Sequence, residues 1–478
     1  MRFSSVLFGF IVFFVGCSTK IPTFVELEKQ SRIPTSFQNY TQDIKAQESN
    51  LLKKETALEQ FDLFFGDKVL LELLQIALNR NTNVLIMVSR IEQAKSSAKI
   101  NGANLYPMVN AGVNTNYTDR LTQLQNLSVR PGTNSISANL SMSWELDLFG
   151  KLNALRQSSK KAYEQAQSNL ANTQITLMSD VGNVYFALRD NAYNIKLAQN
   201  ILKNLEEIDS LIHQQYLAGL NDINTYKNAK ANLVMQKNML ESLRLTYEQN
   251  KNALLVLLDM NSSELDSKVD FLADYTPPSI REFDIYSMPS EVILKRPDVR
   301  ASILALHAQL YKETNAKLSR LPAISLNGSI GQLLYNNAGV NSFVFQVANS
   351  IAAPLLNRTN LEQSYLIAQE LSKEAYYTLQ HTINTALAEM ENALFDRDSK
   401  KRQVENLKAV MEVGMQAYKS DKIRLSDGMI DRNEFLNSEN SYFSLQSQLY
   451  TSRINEAIAM VTLFRAFGGE LYAVHFKN

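Results

Sequence analysis

Residues 321–357 read LPAISLNGSIGQLLYNNAGVNSFVFQVANSIAAPLLN and contain no Asp, Glu, Lys or Arg, although these four types make up 20% of the 478-residue chain. From Ile324 to Ile330 apolar residues and glycine alternate with Ser and Asn, and the alternation returns at Phe343, Phe345 and Val347. A period of two is typical of a β-strand whose two faces meet different surroundings. The stretch therefore predicts two strands joined by a turn.

An earlier part of the chain has the same character. Residues 100–118 are uncharged, and apolar residues alternate with Asn and Gly from Val109 to Tyr117. Residues 135–144 are also uncharged and place Ile136, Leu140 and Trp144 on one face, with Ser and Asn on the other. Pro131-Gly132 marks a turn between them. The chain is therefore expected to supply four strands, as two hairpins.

Each pair of strands is followed by a long helical pattern. No proline occurs between Lys151 and Tyr275, and apolar residues recur at spacings of three and four, which is typical of a coiled coil. The pattern predicts a helix over about 152–216, about 95 Å long at 1.5 Å per residue. A break at Ala218-Gly219 leads to a second helix over about 222–258. In the second half, a break at Ser426-Asp427-Gly428 leads to a helix over about 430–467.

The two halves are related by an internal duplication. Landmarks from different elements keep nearly one spacing, with offsets of 215, 207, 206 and 209 for the pairs Pro107 and Pro322, Leu148 and Leu355, Leu188 and Leu394, and Gly219 and Gly428. A constant offset of about 210 residues indicates a repeat. The predicted organisation is a first repeat over 61–278, a second over 279–470, and a C-terminal tail over 471–478.

The N-terminus resembles a bacterial lipoprotein signal. Arg2 precedes a short apolar run that ends in Phe14-Val15-Gly16-Cys17, so residues 1–16 are interpreted as a signal peptide and Cys17 as the lipidated first mature residue. Residues 17–60 are interpreted as a lipid-anchored tether. An ordinary signal peptide with an incidental cysteine is the alternative. Cys17 is the only cysteine, which excludes a disulfide within the monomer.

The uncharged strands point to a membrane barrel. After the predicted signal, no apolar run reaches the roughly 18 residues that a spanning helix needs, and a closed barrel is the other structure that satisfies its backbone in lipid. Four strands do not close, whereas three chains supply twelve. Trp144 is predicted to lie at the membrane interface, and Asp147 to cap the helix that follows.

The segment Trp144-Glu145-Leu146-Asp147-Leu148-Phe149-Gly150-Lys151 resembles the TolC family, as do the order of elements and the repeat. Further matches are Phe64-Phe65-Gly66-Asp67, Arg296-Pro297-Asp298-Val299-Arg300, Leu321-Pro322 and Phe467-Gly468-Gly469, and the resemblance covers about residues 60–470. With the lipobox, it points to the lipoprotein branch, the outer-membrane factors of resistance-nodulation-division efflux pumps.

The resemblance implies an α+β membrane protein, a homotrimeric twelve-stranded β-barrel continued by an antiparallel α-helical coiled-coil tunnel. Such a duct passively conducts drugs and other small molecules across the outer membrane. Its expected partners are outer-membrane lipid, a periplasmic adaptor and an inner-membrane resistance-nodulation-division pump. A duct for type I protein secretion or metal export is the alternative, followed by a structural coiled-coil envelope lipoprotein.

The resemblance also implies site residues. The two helix breaks match the family's adaptor-contact tips, here Ala218, Gly219, Leu220, Ser426, Asp427 and Gly428; the alternative is that the glycines serve only the turn. Counting from Gly428, a pore constriction is expected at Glu434 and Asn437, with Asp431 as a substitute for the neutral Asn437. The alternative for Glu434 is a solvated surface carboxylate.

Other classes of function find little support. The four histidines are scattered, without the spacing of a metal site or a nucleophilic triad, so no metal, cofactor or enzyme activity is expected. The 48 basic and 48 acidic residues cancel, which argues against a nucleic-acid partner.

Overall fold

The structure is a computed structural model. It describes residues 57–118, 133–273, 275–281, 283–285, 292–336, 342–352, 357–469 and 474–476. The predicted signal peptide, Cys17 and residues 17–56 lie outside the described residues. The chain divides into two compact units. The sheet unit contains Ser89–Gln167 and Ala301–His381, and the hairpin unit contains 57–88, Ser168–Arg300 and the chain from Thr382 onward.

The elements follow the predicted order. In the first half they are α1 (Ala57–Phe65), α2 (Lys68–Arg80), α3 (Thr82–Ala103), β1 (Met108–Thr118), β2 (Thr133–Leu146), α4 (Lys151–Leu217), α5 (Ile223–Leu258), α6 (Ser262–Asp266) and β3 (Phe283–Ile285). In the second half they are α7 (Pro297–Leu318), β4 (Ala323–Asn336), β5 (Phe343–Ala352), α8 (Arg358–Ser426), α9 (Arg432–Ala466) and β6 (Val474–Phe476). The predicted long helix over 152–216 is confirmed as α4, at 67 residues. None of the helices within the described ranges combines the length and the apolar character that a membrane-spanning helix requires.

The sheet unit is built around one antiparallel sheet with the order β1-β2-β4-β5. The two predicted hairpins, β1 with β2 and β4 with β5, are confirmed. The central pair, β2 with β4, joins the two strand hairpins, and Leu140 lies opposite Ile330 in it. Strands β1 and β5 therefore form the two edges of the sheet.

The two faces of this sheet differ as the alternation predicts. The apolar face exposes large side chains, among them Val109, Val113, Leu140, Met142, Ile330, Phe345 and Val347. The polar face carries amides and hydroxyls, among them Asn110, Asn114, Ser137, Asn139, Ser141, Ser143, Ser329 and Gln346. Directly opposed residues share a face, so the register keeps the two sets apart.

In the hairpin unit, α4 pairs with α5 and α8 pairs with α9 as antiparallel hairpins. Ile208 and Ile212 of α4, Ala229 of α5 and Leu436 of α9 form one buried cluster, so α9 also packs on the first hairpin. At Gly414 of α8, an added Cβ would lie 2.4 Å from Leu445 Cδ1 of α9. The Leu445 side chain would therefore have to move to admit a side chain at position 414.

The motif Phe64-Phe65-Gly66-Asp67 docks α1 and the start of α2 onto α4 and α9. The Phe61 and Phe64 rings pack against Phe464. Asp67 caps α2 through the Val69 and Leu70 amides, and its other carboxylate oxygen accepts hydrogen bonds from Tyr185 Oη and Arg189 Nη1 at 2.8 and 3.1 Å. This motif is thus a structural anchor.

The motif Arg296-Pro297-Asp298 makes a similar anchor in the second repeat. The buried Arg296 guanidinium donates to the Ala466 carbonyl at 2.5 Å, to Asp298 Oδ2 at 2.7 Å and to Glu389 Oε2 at 2.7 Å. Gly468, with φ of +75°, lies so close that an added Cβ would be 3.1 Å from Arg296 Cα. The network ties the C-terminal end of α9 to the start of α7.

One pairing was not predicted. Strand β3 pairs antiparallel with β6 in a separate two-stranded sheet. Three-residue strands lack a measurable period, which is why the sequence does not reveal them. The pairing brings residues 474–476, within the predicted C-terminal tail, beside residues 283–285.

Candidate functional site at the helical hairpin tips

The ends of α4 and α8 are built in the same way. At tip 1 (residues 217–222) the Leu220 amide donates to the Gln215 carbonyl at 2.8 Å and the Gly219 amide to the Tyr216 carbonyl at 3.0 Å. At tip 2 (residues 426–431) Met429 and Gly428 make the matching bonds to Arg424 and Leu425. Gly219 and Gly428 have φ of +73° and +69°. This is a Schellman helix end, which needs a left-handed residue and so favours glycine.

An aspartate that caps the next helix lies three residues after each glycine. Asp222 caps α5 by accepting from the Thr225 amide at 2.7 Å, and Asp431 caps α9 by accepting from the Glu434 amide at 2.7 Å. The Asp222 carboxylate accepts hydrogen bonds from the backbone and the side chain of Thr225, at the positive end of the helix. These bonds lower the pKa of the Asp222 carboxyl group. Both tips therefore share a Gly-x-x-Asp reversal.

The tips expose apolar side chains to the surroundings. Leu217, Leu220 and Met429 are 72%, 76% and 70% exposed. The predicted tip residues Ala218, Gly219, Ser426, Asp427 and Gly428 are exposed as well. Nothing lies within 4 Å of a Cβ added at either glycine. The reversals are held by backbone bonds and caps, so these side chains are available to another surface.

Glu434 lies in the first turn of α9. Its side chain is 60% exposed, and Oε1 lies 4.0 Å from Nη2 of Arg424 of α8, whose side chain is 45% exposed. An ion pair of this kind is weak in water. Glu434 therefore keeps an accessible negative charge beside tip 2.

The other two predicted constriction residues have local partners. Asp431 is the cap just described, a role that the sequence analysis did not assign to it. The Asn437 amide donates to the Asn433 carbonyl at 3.0 Å and to Asn433 Oδ1 at 3.2 Å. All three predicted residues lie within two turns of tip 2, and Glu434 is the one that carries a charge not used in capping.

An ion pair that the sequence analysis missed joins the two hairpins near their tips. Arg432 of α9 donates from Nε and Nη2 to both carboxylate oxygens of Glu207 of α4, at 2.6 and 3.0 Å. The hydrogen bond from Arg432 lowers the pKa of the Glu207 carboxyl group. A two-pronged contact of this kind fixes orientation as well as distance.

Further from the tips, α9 meets its neighbours through polar contacts. Glu439 accepts from Asn204 of α4 at 2.8 Å and from Tyr418 Oη of α8 at 3.0 Å. Burial and the bond to Glu439 raise the pKa of the Tyr418 hydroxyl. Asp190 Oδ1 accepts from Thr451 Oγ1 at 2.7 Å, and burial raises the pKa of the Asp190 carboxyl group.

At the other predicted site, in the sheet unit, Trp144 is half-buried and its indole Nε1 donates to the Leu105 carbonyl at 2.9 Å. The predicted cap is confirmed, because the Asp147 carboxylate accepts from the Leu152 and Asn153 amides at 2.9 and 2.7 Å. Within the described residues, no group of three His, Cys, Asp or Glu side chains converges as a metal site requires.

The chain was compared with known families and proteins. A sequence model of the outer membrane efflux protein family matches residues 73–259 and 288–469. The antibiotic efflux pump outer membrane protein ArpC of Pseudomonas putida is 25% identical over 425 residues, which cover 86% of this chain and 84% of ArpC. The outer membrane protein OprJ of Pseudomonas aeruginosa is 26% identical over 414 residues, with 85% of each chain covered.

Solved structures share the fold. The Campylobacter jejuni CmeC outer membrane channel aligns with a TM-score of 0.79 at 21% identity, over 96% of this chain and 95% of CmeC. The open state of the Neisseria gonorrhoeae MtrE outer membrane channel aligns with a TM-score of 0.75 at 22% identity, over 95% and 98%.

The family match and the shared fold together define a protein of the outer-membrane channel class. The chain belongs to the outer membrane efflux protein family, and it is an outer-membrane component of an efflux system. This family is one of ducts, not of enzymes.

Proposed function

We propose that three copies of this chain form a duct whose twelve-stranded β-barrel crosses the outer membrane and whose α4/α5 and α8/α9 hairpins continue it as a tunnel into the periplasm. The duct passively releases drugs and other small molecules that an inner-membrane resistance-nodulation-division pump delivers through a periplasmic adaptor. Cys17 carries the lipid anchor, and Trp144 lies at the membrane interface. The two repeats, over 61–278 and 279–470, each supply one strand hairpin and one helical hairpin.

The observation that carries this proposal is a four-stranded sheet with an exposed apolar face and two open edges. Strands β1 and β5 have 11 and 10 residues, which suits a tilted strand that spans a bilayer. An unpaired strand edge in lipid leaves backbone N–H and C=O groups without hydrogen-bond partners, and each such group destabilises the structure by several kcal/mol. Pairing β5 of one copy with β1 of the next removes both edges, and three copies close the ring.

The tips support the adaptor contact. Leu217, Leu220 and Met429 are apolar and exposed at reversals that are held by their own backbone. Exposed apolar groups at the end of a long hairpin suit a protein partner. In the trimer, Glu434 forms a ring of three carboxylates that narrows the entrance and attracts cations.

Cross-linking across the sheet edges tests the assembly. Cysteine pairs between β1 and β5, such as Asn110→Cys with Gln346→Cys and neighbours two residues away, should give trimers that are covalent on non-reducing gels. The control pair is Ser141→Cys with Ser329→Cys, which lie opposite each other within one chain and should link no copies. A monomer in every β1–β5 combination would rule out the barrel.

Conductance tests the entrance. In planar bilayers, Glu434→Gln should lower conductance at low salt and reduce the preference for cations, because it removes the carboxylate ring that concentrates cations at the entrance. Glu241→Gln, which removes an exposed acid of α5, is the matched control and should leave both unchanged. Identical behaviour of the two variants would remove Glu434 from the entrance.

The anchor and the cargo are tested in cells. Cys17→Ser should abolish incorporation of labelled palmitate, and continued labelling would refute the anchor. A deletion strain should accumulate fluorescent drugs and recover on complementation. Accumulation of an exported protein or a metal ion, with drug levels unchanged, would favour the alternative cargo.

A further inference from the structure

The helices of the sheet unit continue its strands in the same order. Polar contacts join each neighbouring pair of helices: Asn101 of α3 with Ser159 of α4 at 2.5 Å, Asn315 of α7 with the Lys151 carbonyl of α4 at 2.8 Å, and Arg320 after α7 with Glu362 of α8 at 2.8 Å. The helix order α3-α4-α7-α8 therefore matches the strand order β1-β2-β4-β5. The four junctions between helix and strand lie side by side at one end of the sheet.

These junctions carry an excess of positive charge. We call them together the collar, which comprises residues 97–107, 145–157, 312–322 and 353–364. The collar contains seven Lys and Arg residues and four Asp and Glu residues, a net charge of +3 in a chain whose net charge is zero. The segments that join the strands at the opposite end, residues 119–132 and 337–341, contain two cations and one acid in the sequence. Most of the positive excess of the strand region therefore lies at the collar.

Three of the four acids of the collar already have local partners. Glu145 forms an ion pair with Lys151, and Glu362 forms one with Arg320 at 2.8 Å. The Asp147 carboxylate is used in capping α4. These contacts neutralise only two of the seven cations.

Three other cations of the collar are exposed and unpaired. Lys99 lies near the end of α3, Arg156 in the second turn of α4 and Arg358 at the first residue of α8. None of them forms an ion pair within the described ranges. Further along the same helices, three cations pair instead with acids of their own helix: Lys95 with Glu92, Lys161 with Glu164, and Lys373 with Glu370. The three collar cations are therefore available to an anionic ligand.

The collar also exposes apolar side chains beside its cations. Ile100, Tyr106 and Leu148 are largely exposed, and the half-buried Trp144 adjoins them at the end of β2. An anion dissolved in water needs no apolar contacts, whereas a membrane interface presents charged head groups directly above acyl chains. Cations beside exposed aromatic and aliphatic residues are typical of that interface.

We infer that the collar binds anionic phospholipid head groups at the periplasmic surface of the outer membrane. The inference rests on the proposed function, because it places this end of the sheet at that surface. The net negative charge of such a head group complements Lys99, Arg156 and Arg358. A zwitterionic lipid carries the same phosphate without a net charge, so the collar binds the anionic lipid more tightly.

Trp144 provides the test, because it is the only tryptophan of the chain and adjoins the collar. The full-length protein is reconstituted in phosphatidylcholine vesicles, in which a rising fraction of the lipid is replaced by phosphatidylcholine or phosphatidylglycerol with brominated acyl chains. Bromine quenches tryptophan fluorescence at short range, so the two quenching curves give the relative affinities of the two lipids. Phosphatidylglycerol should bind about fivefold more tightly, as expected for one lipid beside a cation, and raising the salt from about 0.05 M to about 0.5 M should reduce this preference.

Neutral substitutions locate the preference. The triple variant Lys99→Gln, Arg156→Gln and Arg358→Gln should bring the ratio of affinities close to unity. The matched control replaces three exposed cations of the hairpin unit, Lys227→Gln, Lys230→Gln and Lys419→Gln, and should keep the fivefold preference. The charge-preserving variant Lys99→Arg, Arg156→Lys and Arg358→Lys should keep it as well.

The outcomes separate the two proposals. Equal quenching of the unsubstituted protein by the two brominated lipids, or the same preference in the collar variant and the control, would overturn the inference and leave the duct standing. A lack of quenching by either lipid would place the end of β2 away from the bilayer, and would overturn the membrane position on which both proposals rest.

Discussion

The Arg296 network offers a quantitative test of why the sequence contains an Arg-Pro-Asp motif. Arg296 is 6% exposed and holds the Ala466 carbonyl, Asp298 and Glu389 together. Replacing it with Met keeps most of the apolar stem but leaves two carboxylates and a carbonyl without their shared donor. Losing one partner of a buried ion pair costs about 3–5 kcal/mol. Because Asp298 and Glu389 remain partly exposed, we expect about 3 kcal/mol, at the lower end.

The matched control for Arg296→Met is Arg300→Met, the same substitution one turn later at an exposed position. The free energy of unfolding, measured by denaturant titration in detergent, should fall by about 3 kcal/mol for the first variant and stay within about 0.5 kcal/mol for the second. Amide protons at residues 467–469 should also exchange about 100-fold faster in Arg296→Met, since 1.4 kcal/mol is about tenfold. Equal losses in both variants would refute the reasoning.

The same network predicts a dependence on pH. Burial acts to raise the pKa of the Asp298 carboxyl group, but the hydrogen bonds and charge of Arg296 outweigh burial and lower it. A lowered pKa in the folded state adds stability that is present above the ordinary pKa of Asp and is lost as pH falls through the lowered value. The difference in the free energy of unfolding between wild type and Arg296→Met should therefore become smaller as pH falls from the ordinary pKa of Asp through the lowered one.

Three further predictions follow from single contacts. Gly428→Ala should destabilise tip 2 by about 1–2 kcal/mol, because φ of +69° is unfavourable for alanine. Limited proteolysis should then cut the chain faster at tip 2 and at an unchanged rate elsewhere. Gly414→Ala should stabilise the protein by less than the roughly 1 kcal/mol that alanine gains over glycine inside a helix, because the new Cβ meets Leu445 Cδ1; a double-mutant cycle with Leu445→Ala, measured by melting curves, should show a favourable coupling between the two substitutions. Burial raises the pKa of Asp190, so wild type loses stability as pH rises from the ordinary pKa of Asp to the raised one. Asp190→Asn should therefore gain relative stability over that interval in a pH series of melting curves, and a constant difference would contradict the assignment.

Local patterns predicted the elements because each is long and periodic. The alternation from Val109 to Tyr117 gave β1 its two faces, and the absence of proline after Lys151 extended α4 to 67 residues. Glycine at 219 and 428 marked both reversals, because a left-handed residue at a helix end has a strong residue preference.

Contacts between distant parts of the chain were missed. Glu207 and Arg432 lie 225 residues apart, and nothing in either local sequence marks the other as its partner. The local bond from the Glu434 amide to Asp431 was missed as well, because Asp431 was considered only as a substitute for Asn437 in the predicted pore constriction. The pairing of β2 with β4 could not be derived either, since several strand orders satisfy the same alternation.

The β2–β4 pairing has a consequence for how such a ring assembles. In the proposed trimer, the second strand of each repeat lies beside the first strand of the next, both within a chain and across the boundary between chains. Six similar hairpins thus surround the pore, and neighbouring hairpins meet at six seams, each a pairing of two strands. Because the two hairpins of one chain are covalently linked, every other seam lies within a chain. Only three bimolecular seams then remain to be formed, which lowers the entropic barrier to insertion and lets the alternate seams diverge in sequence.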